Sequence, residues 1–177
     1  HYDVPSQGGT GLQPDRFTTF ARVLRDNGYS TVIGGKWQVN HLGKQPNVLK
    51  EHGFDEYCVW PGAEAGKPQT ETRYWKGFLQ ANGRRGTTAY GPYSINEYLI
   101  NFIQRHKDRP FLVYYPMLLA RDPHAVTPLN RNKKPEGKTA LYAGNVTYVD
   151  HLVGRLVAVV DKLGLKEKTM IVFTGNN

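Results

Sequence analysis

The chain has 177 residues, a formal net charge of +8, 39% hydrophobic residues and 12% aromatic residues. That length suits one domain or part of a larger one, and that apolar content supplies a core. No apolar run approaches the ~18 residues of a membrane span, and a single cysteine, Cys58, excludes an internal disulfide.

Cys58 has no Cys or His neighbour at metal-ligand spacing, so it reads as a half-buried apolar residue beside Val59 and Trp60. The positive charge favours anionic partners: nucleic acid, an anionic membrane surface, or an anionic small molecule or polysaccharide. The basic residues are spread along the chain, with short clusters at Arg84-Arg85 and Arg131 to Lys134. They form neither a recognition-helix pattern nor an aromatic-basic repeat, which points away from nucleic acid. The chain opens His1-Tyr2-Asp3 without an initiator Met or secretory signal, so its compartment is not legible there.

Residues 1 to 14 are rich in Gly and Pro and read as an irregular lead-in. Asp15 is the expected N-cap of a helix carrying Phe17, Phe20, Ala21 and Leu24 at helical spacing, and Gly28 is its stop. Tyr29 to Ile33 is β-rich and runs into Gly34-Gly35. Residues 43 to 71 are mixed and predict a surface loop. Between Tyr74 and Tyr90, Asn82-Gly83 separates β-compatible residues and predicts a hairpin. A second helix is expected from Ser94 to His106, with Ile95, Tyr98, Leu99, Phe102 and Ile103 on its apolar face. Phe111 to Tyr115 is a continuous apolar run typical of an interior strand. Residues 120 to 138 predict a polar loop. Leu141 to Leu163 predicts the longest helix, ended by Gly164, and Met170 to Thr174 predicts a further buried strand. The sequon Asn145-Val146-Thr147 falls inside that long helix and reads as chance.

Repeated helix-strand units imply an α/β fold, a mostly parallel sheet flanked by helices. In such sheets the binding site forms at the C-terminal ends of strands. Three strand ends carry polar residues. Lys36 after the glycine pair offers a point charge for a tetrahedral oxyanion, or is a solvated surface lysine. Arg121 offers a bidentate anion contact, Asp122 a partner or metal ligand, and His124 either a general acid or an exposed loop histidine. Asn176 and Asn177 offer weak carbonyl ligands to a hard cation, or a capping turn.

Taken together these segments resemble the sulfatase family. Thr19 to Thr31 running into Gly35-Lys36-Trp37 is similar to "TFAxxLRDxGYxTxxxGKW". His52 to Tyr57 is similar to "HGFDEY", and Tyr148 to Leu156 with Leu163-Gly164-Leu165 and Thr169 to Asn177 to "YxDxLVGRLVxxLDxLGLxxNTxxxFTxDNG". The resemblance covers nearly the whole chain in the family's order. It implies an alkaline-phosphatase-like α/β sandwich, incomplete here, and hydrolysis of sulfate esters. It further implies a formylglycine nucleophile made from a C-x-P-S-R motif and calcium held by Asp-Asp and Asp-Asn pairs.

Carried over residue by residue, the resemblance makes Lys36 the sulfate-binding lysine and places Gln38 and Arg121 where the family has histidines. Substrate contacts are thus expected from Lys36, Gln38 and Arg121. Asn176 and Asn177 fall at the Asp-Asn metal positions, only Asn177 keeping its family identity. The 177 residues hold no C-x-P-S-R segment, and Cys58 lacks its context. The expectation is a partial catalytic domain over residues 1–177, without the nucleophile segment and the C-terminal subdomain. Its parent would be a hydrolase, and this chain would be catalytically incompetent, with calcium unbound. The alternative is a non-catalytic module for sulfate or sulfated glycans. Exposed sheet edges predict self-association.

Overall fold

The computed structural model describes residues 9, 11–65, 72–133 and 135–175. Thr19 caps the first helix, α1 (Phe20–Asp26), by accepting from the Arg22 amide at 3.1 Å. The cap is therefore Thr19 and not Asp15, and the helix is one turn shorter than expected, leaving Phe17 outside it. Gly28 follows with φ of 87°, a left-handed stop that costs glycine little. Strand β1 (Ser30–Lys36) comes next, longer than the expected strand and including both glycines.

Residues 43 to 65 are not a surface loop. They hold a short helix, α2 (Val48–Glu51), and strand β2 (Glu56–Trp60), and Val48, Leu49, Phe54, Tyr57, Cys58, Val59 and Trp60 are all buried. Residues 66–71 of that span lie outside the described residues. The hairpin forms as its turn residues dictate: β3 (Trp75–Ala81) and β4 (Arg84–Tyr90) are joined by Asn82 and Gly83, with φ of 44° and 82°. The Asn82 carboxamide also accepts from the Tyr57 amide at 2.9 Å and donates to the Tyr98 hydroxyl at 2.8 Å.

Helix α3 (Gly91–His106) starts three residues earlier than expected, directly from β4. Strand β5 (Phe111–Tyr114) and helix α4 (Lys138–Lys162) follow. The sheet order is β4-β3-β2-β1-β5, with β2, β1 and β5 parallel and the β3–β4 hairpin antiparallel at one side. Met170 to Thr174, expected as a buried strand, is neither. It has no strand structure, and Met170 is 88% exposed and Val172 72%.

The two faces of the sheet follow the period of two along each strand. Val32, Cys58 and Trp60 point to one core, shared with Ile95, Leu99 and Phe102 of α3 and Tyr148 and Leu152 of α4. Ile33, Tyr57 and Val59 point to the other, with Ala21 of α1 and Val48 and Leu49 of α2. Gly34 permits the close approach of α3: a Cβ there would lie 2.8 Å from Leu99 Cδ2. The family-like segments are stitched into this frame. Thr31 Oγ1 donates to the Gly53 carbonyl at 2.6 Å and the Asp55 carboxylate accepts from the Thr31 amide at 2.9 Å. His52 is buried, its Nε2 3.2 Å from the Leu12 carbonyl, and burial lowers its pKa. Asn145 is buried too, donating to the Ala125 carbonyl at 2.6 Å. No described helix is long and apolar enough to cross a membrane.

Candidate functional site

Lys36 is the last residue of β1, and the strands on both sides hold its backbone. Its amide donates to the Pro116 carbonyl at 2.7 Å, and the next amide, Trp37, donates to the Trp60 carbonyl at 3.1 Å. The turn needs Gly35: its φ is 131°, and a Cβ there would sit 2.0 Å from the Pro116 oxygen. Lys36 is thereby fixed at the C-terminal edge of the sheet, where parallel strands place their ligands. It is half-buried and not the free surface lysine that its sequence allowed.

Gln38, two residues on, lies against the backbone of Gly62, in the short 3₁₀ turn Gly62–Ala65 that follows β2. A Cβ at Gly62 would be 2.3 Å from Gln38 Nε2. The loop after β5 brings Arg121 to the same edge. Arg121 is exposed, and its backbone carbonyl accepts from the Tyr74 hydroxyl at 2.8 Å.

Electrostatics ties these elements together. Burial lowers the pKa of Lys36, and the positive charges of Arg121 and then Arg73 lower it further. Among the described residues, none of these three cations has a carboxylate within 4.0 Å. Like charges drawn together without a counter-charge raise the energy of the empty site and favour an anion between them. The sequence reading missed Arg73. Its segment has no motif, and the signal is only visible in space: an arginine 8% exposed, its guanidinium 4.9 Å from the centre of the Trp60 ring.

Asp122 and His124 face elsewhere. Asp122 pairs with Lys138 at 3.0 Å, and this hydrogen bond holds its carboxyl below the usual range. His124 is not an exposed loop histidine. Its side chain is 8% exposed, tilted against the Tyr142 ring at 5.0 Å, with Nε2 3.8 Å from Asp122. Neither is placed on Lys36 by any contact. Asn176 and Asn177 lie outside the described residues. Among the described residues no group of three His, Cys, Asp or Glu is arranged to hold a metal ion. The charges acting on Lys36 among the described residues, Arg121 and Arg73, are themselves cationic and do not fit calcium.

The family model described as Sulfatase matches residues 1–177. The chain belongs to the sulfatase family. It is similar to N-acetylgalactosamine-6-sulfatase of Canis lupus familiaris, 26% identical over 93% of this chain and 33% of that protein. It is also similar to arylsulfatase G of Homo sapiens, 30% identical over 100% of this chain and 38% of that protein. Among solved structures, Ps i-CgsB in complex with k-i-k-neocarrahexaose matches with a TM-score of 0.67 at 24% identity, covering 88% of this chain and 39% of that one. The fold is thus the alkaline-phosphatase-like α/β fold of sulfatases. The chain spans between a third and two fifths of the length of these relatives.

Proposed function

We propose that this chain is part of the catalytic domain of a sulfate ester hydrolase, and that by itself it holds the anion without cleaving it. The observation that carries this reading is the half-buried Lys36 ammonium at the end of β1, with Arg121 bearing on it and no carboxylate within 4.0 Å among the described residues. That arrangement suits a tetrahedral oxyanion, with Gln38 available as a neutral hydrogen-bond partner. Two similar structures contain saccharides: k-i-k-neocarrahexaose with Ps i-CgsB, and D-glucosamine-2-N,6-O-disulfate with BT4656. They support a sulfated glycan as the partner class.

Turnover needs a nucleophile and a proton donor. The 177 residues hold no C-x-P-S-R segment. Cys58 does not replace it, being buried in the core under α3 with its thiol pushed up to about 12. Gln38 carries no titratable proton, and an arginine such as Arg121 serves to bind anions, not as a general acid. Among the described residues no group of three or more His, Cys, Asp or Glu is arranged to hold calcium. Residues 1–177 therefore make one partial catalytic domain, a non-catalytic anion-binding module on their own.

Isothermal calorimetry with inorganic sulfate and an aryl sulfate assay with added calcium test both halves. Sulfate binding that is lost in Lys36→Ala and weakens with salt is expected, without aryl sulfate turnover. Absence of binding at low salt would reject the anion site. Turnover abolished by Lys36→Ala would reject the non-catalytic assignment.

A further inference from the structure

Arg73 is a buried cation with no carboxylate within 4.0 Å among the described residues. Its guanidinium lies 4.9 Å from the Trp60 ring centre and 5.6 Å from that of Tyr74, contacts that partly replace lost hydration. Nη1 donates to the Asp122 carbonyl at 3.1 Å, while Nε is buried with no partner. Burying a guanidinium is costly unless its donors and charge are matched, and among the described residues neither Nε nor the charge finds a match.

The backbone holds this residue in place. Gly91, at the start of α3, donates to the Tyr74 carbonyl at 2.8 Å, and a Cβ on it would meet the Arg73 carbonyl at 2.8 Å. From this anchored position Arg73 and Tyr74 grip the loop after β5 at three carbonyls. Arg73 takes Asp122, and the Tyr74 hydroxyl reaches Arg121 at 2.8 Å and Leu118 at 3.3 Å. Arg121 is thus presented by a loop that Arg73 itself ties down, and both cations act on Lys36.

We propose that Arg73 is a further anion-contacting residue of this site, the third cation of a pocket for a tetrahedral oxyanion and the anchor of the loop that carries Arg121. This builds on the anion-binding reading of Lys36. The Nε donor and the charge, unmatched among the described residues, are what a bound sulfate would satisfy. A purely structural arginine would need only the carbonyl bond and the ring contacts.

The test uses the full chain and inorganic sulfate. In calorimetry Arg73→Met should weaken binding about tenfold or more and flatten its dependence on salt, because one screened charge is gone. Arg73→Lys should keep the salt dependence with weaker binding, since the charge survives and the fork does not. In the wild-type protein, the Arg73 Nε–H resonance, identified by its loss in Arg73→Lys, should shift on sulfate titration with the calorimetric Kd. This measurement decides the matter even where Arg73→Met fails to fold. Binding that depends on Lys36 with an unmoved Arg73 resonance would overturn the role of Arg73 and leave the pocket standing. No sulfate binding by the wild-type protein would overturn both.

Discussion

Cys58 and Lys36 sit on neighbouring strands, and their surroundings drive them to opposite ends of reactivity. The thiol lies under α3 among Val32, Trp60 and Leu99, where burial alone pushes its pKa up to about 12. At pH 8 roughly one thiol in ten thousand is then ionised. Native protein is expected to resist iodoacetamide at pH 8 and to alkylate fully in urea, as read by mass spectrometry. Rapid labelling of native protein would show that the strand is not packed as described. Lys36 was legible in the sequence because two glycines and a family-like segment frame it. Arg73 was not, since nothing in Thr72-Arg73-Tyr74 marks a site. Its meaning comes from Trp60, Asp122 and Gly91, which are distant along the chain and close in space. His124 misled for the same reason: its burial depends on Tyr142 of α4.

At the scale of elements, local signals succeeded where one residue type dictates the geometry. Asn82-Gly83 set the hairpin, and the apolar stripe set α3. They failed at β2, where five residues lie between Gly- and Pro-containing stretches and the last four are buried in succession, leaving no alternation to read. They failed conversely at Met170 to Thr174, whose apolar run finds no neighbouring strand among the described residues, and a strand is stabilised by its partners. The sheet and α3 are joined at Glu56, the first residue of β2. The Arg105 guanidinium donates to both its carboxylate oxygens at 2.9 and 2.7 Å, and Tyr98 donates at 3.1 Å. These bonds, Arg105 first, lower the Glu56 pKa from its ordinary 4.5. A carboxyl lowered on folding stabilises the protein above its unfolded pKa and loses that contribution as pH falls through the folded value. Because Arg105 is half-exposed, Glu56→Gln should cost less than about 1 kcal/mol at pH 7. That cost should shrink as the pH falls below 4.5, as read from urea midpoints at pH 7 and in acid. An equal cost at both would assign the effect to packing.

For the molecule as a whole, the balance is between a net charge of +8, which repels copies of the chain, and apolar surface left open at one side. Among the described residues strand β5 is an edge of the sheet, with Tyr114 exposed at its end and stacked on Phe54, and Phe20 of α1 beside it, 52% exposed. Ile171 and Phe173 add further open apolar surface. An edge strand beside exposed aromatic side chains is a template for pairing with another chain, and exposed apolar side chains elsewhere add to the drive. We expect the protein to self-associate with concentration, and the sign of the salt effect identifies the cause. Salt screens the repulsion between cationic copies while leaving apolar burial intact, so added NaCl should strengthen association. The same salt weakens sulfate binding at Lys36, which separates the two surfaces. Sedimentation velocity should show larger species as protein or NaCl concentration rises, and Val172→Lys with Phe173→Lys should shift them back toward monomer. A monomer at every concentration, or association that dissolves in salt, would show that these apolar segments do not drive contact between copies.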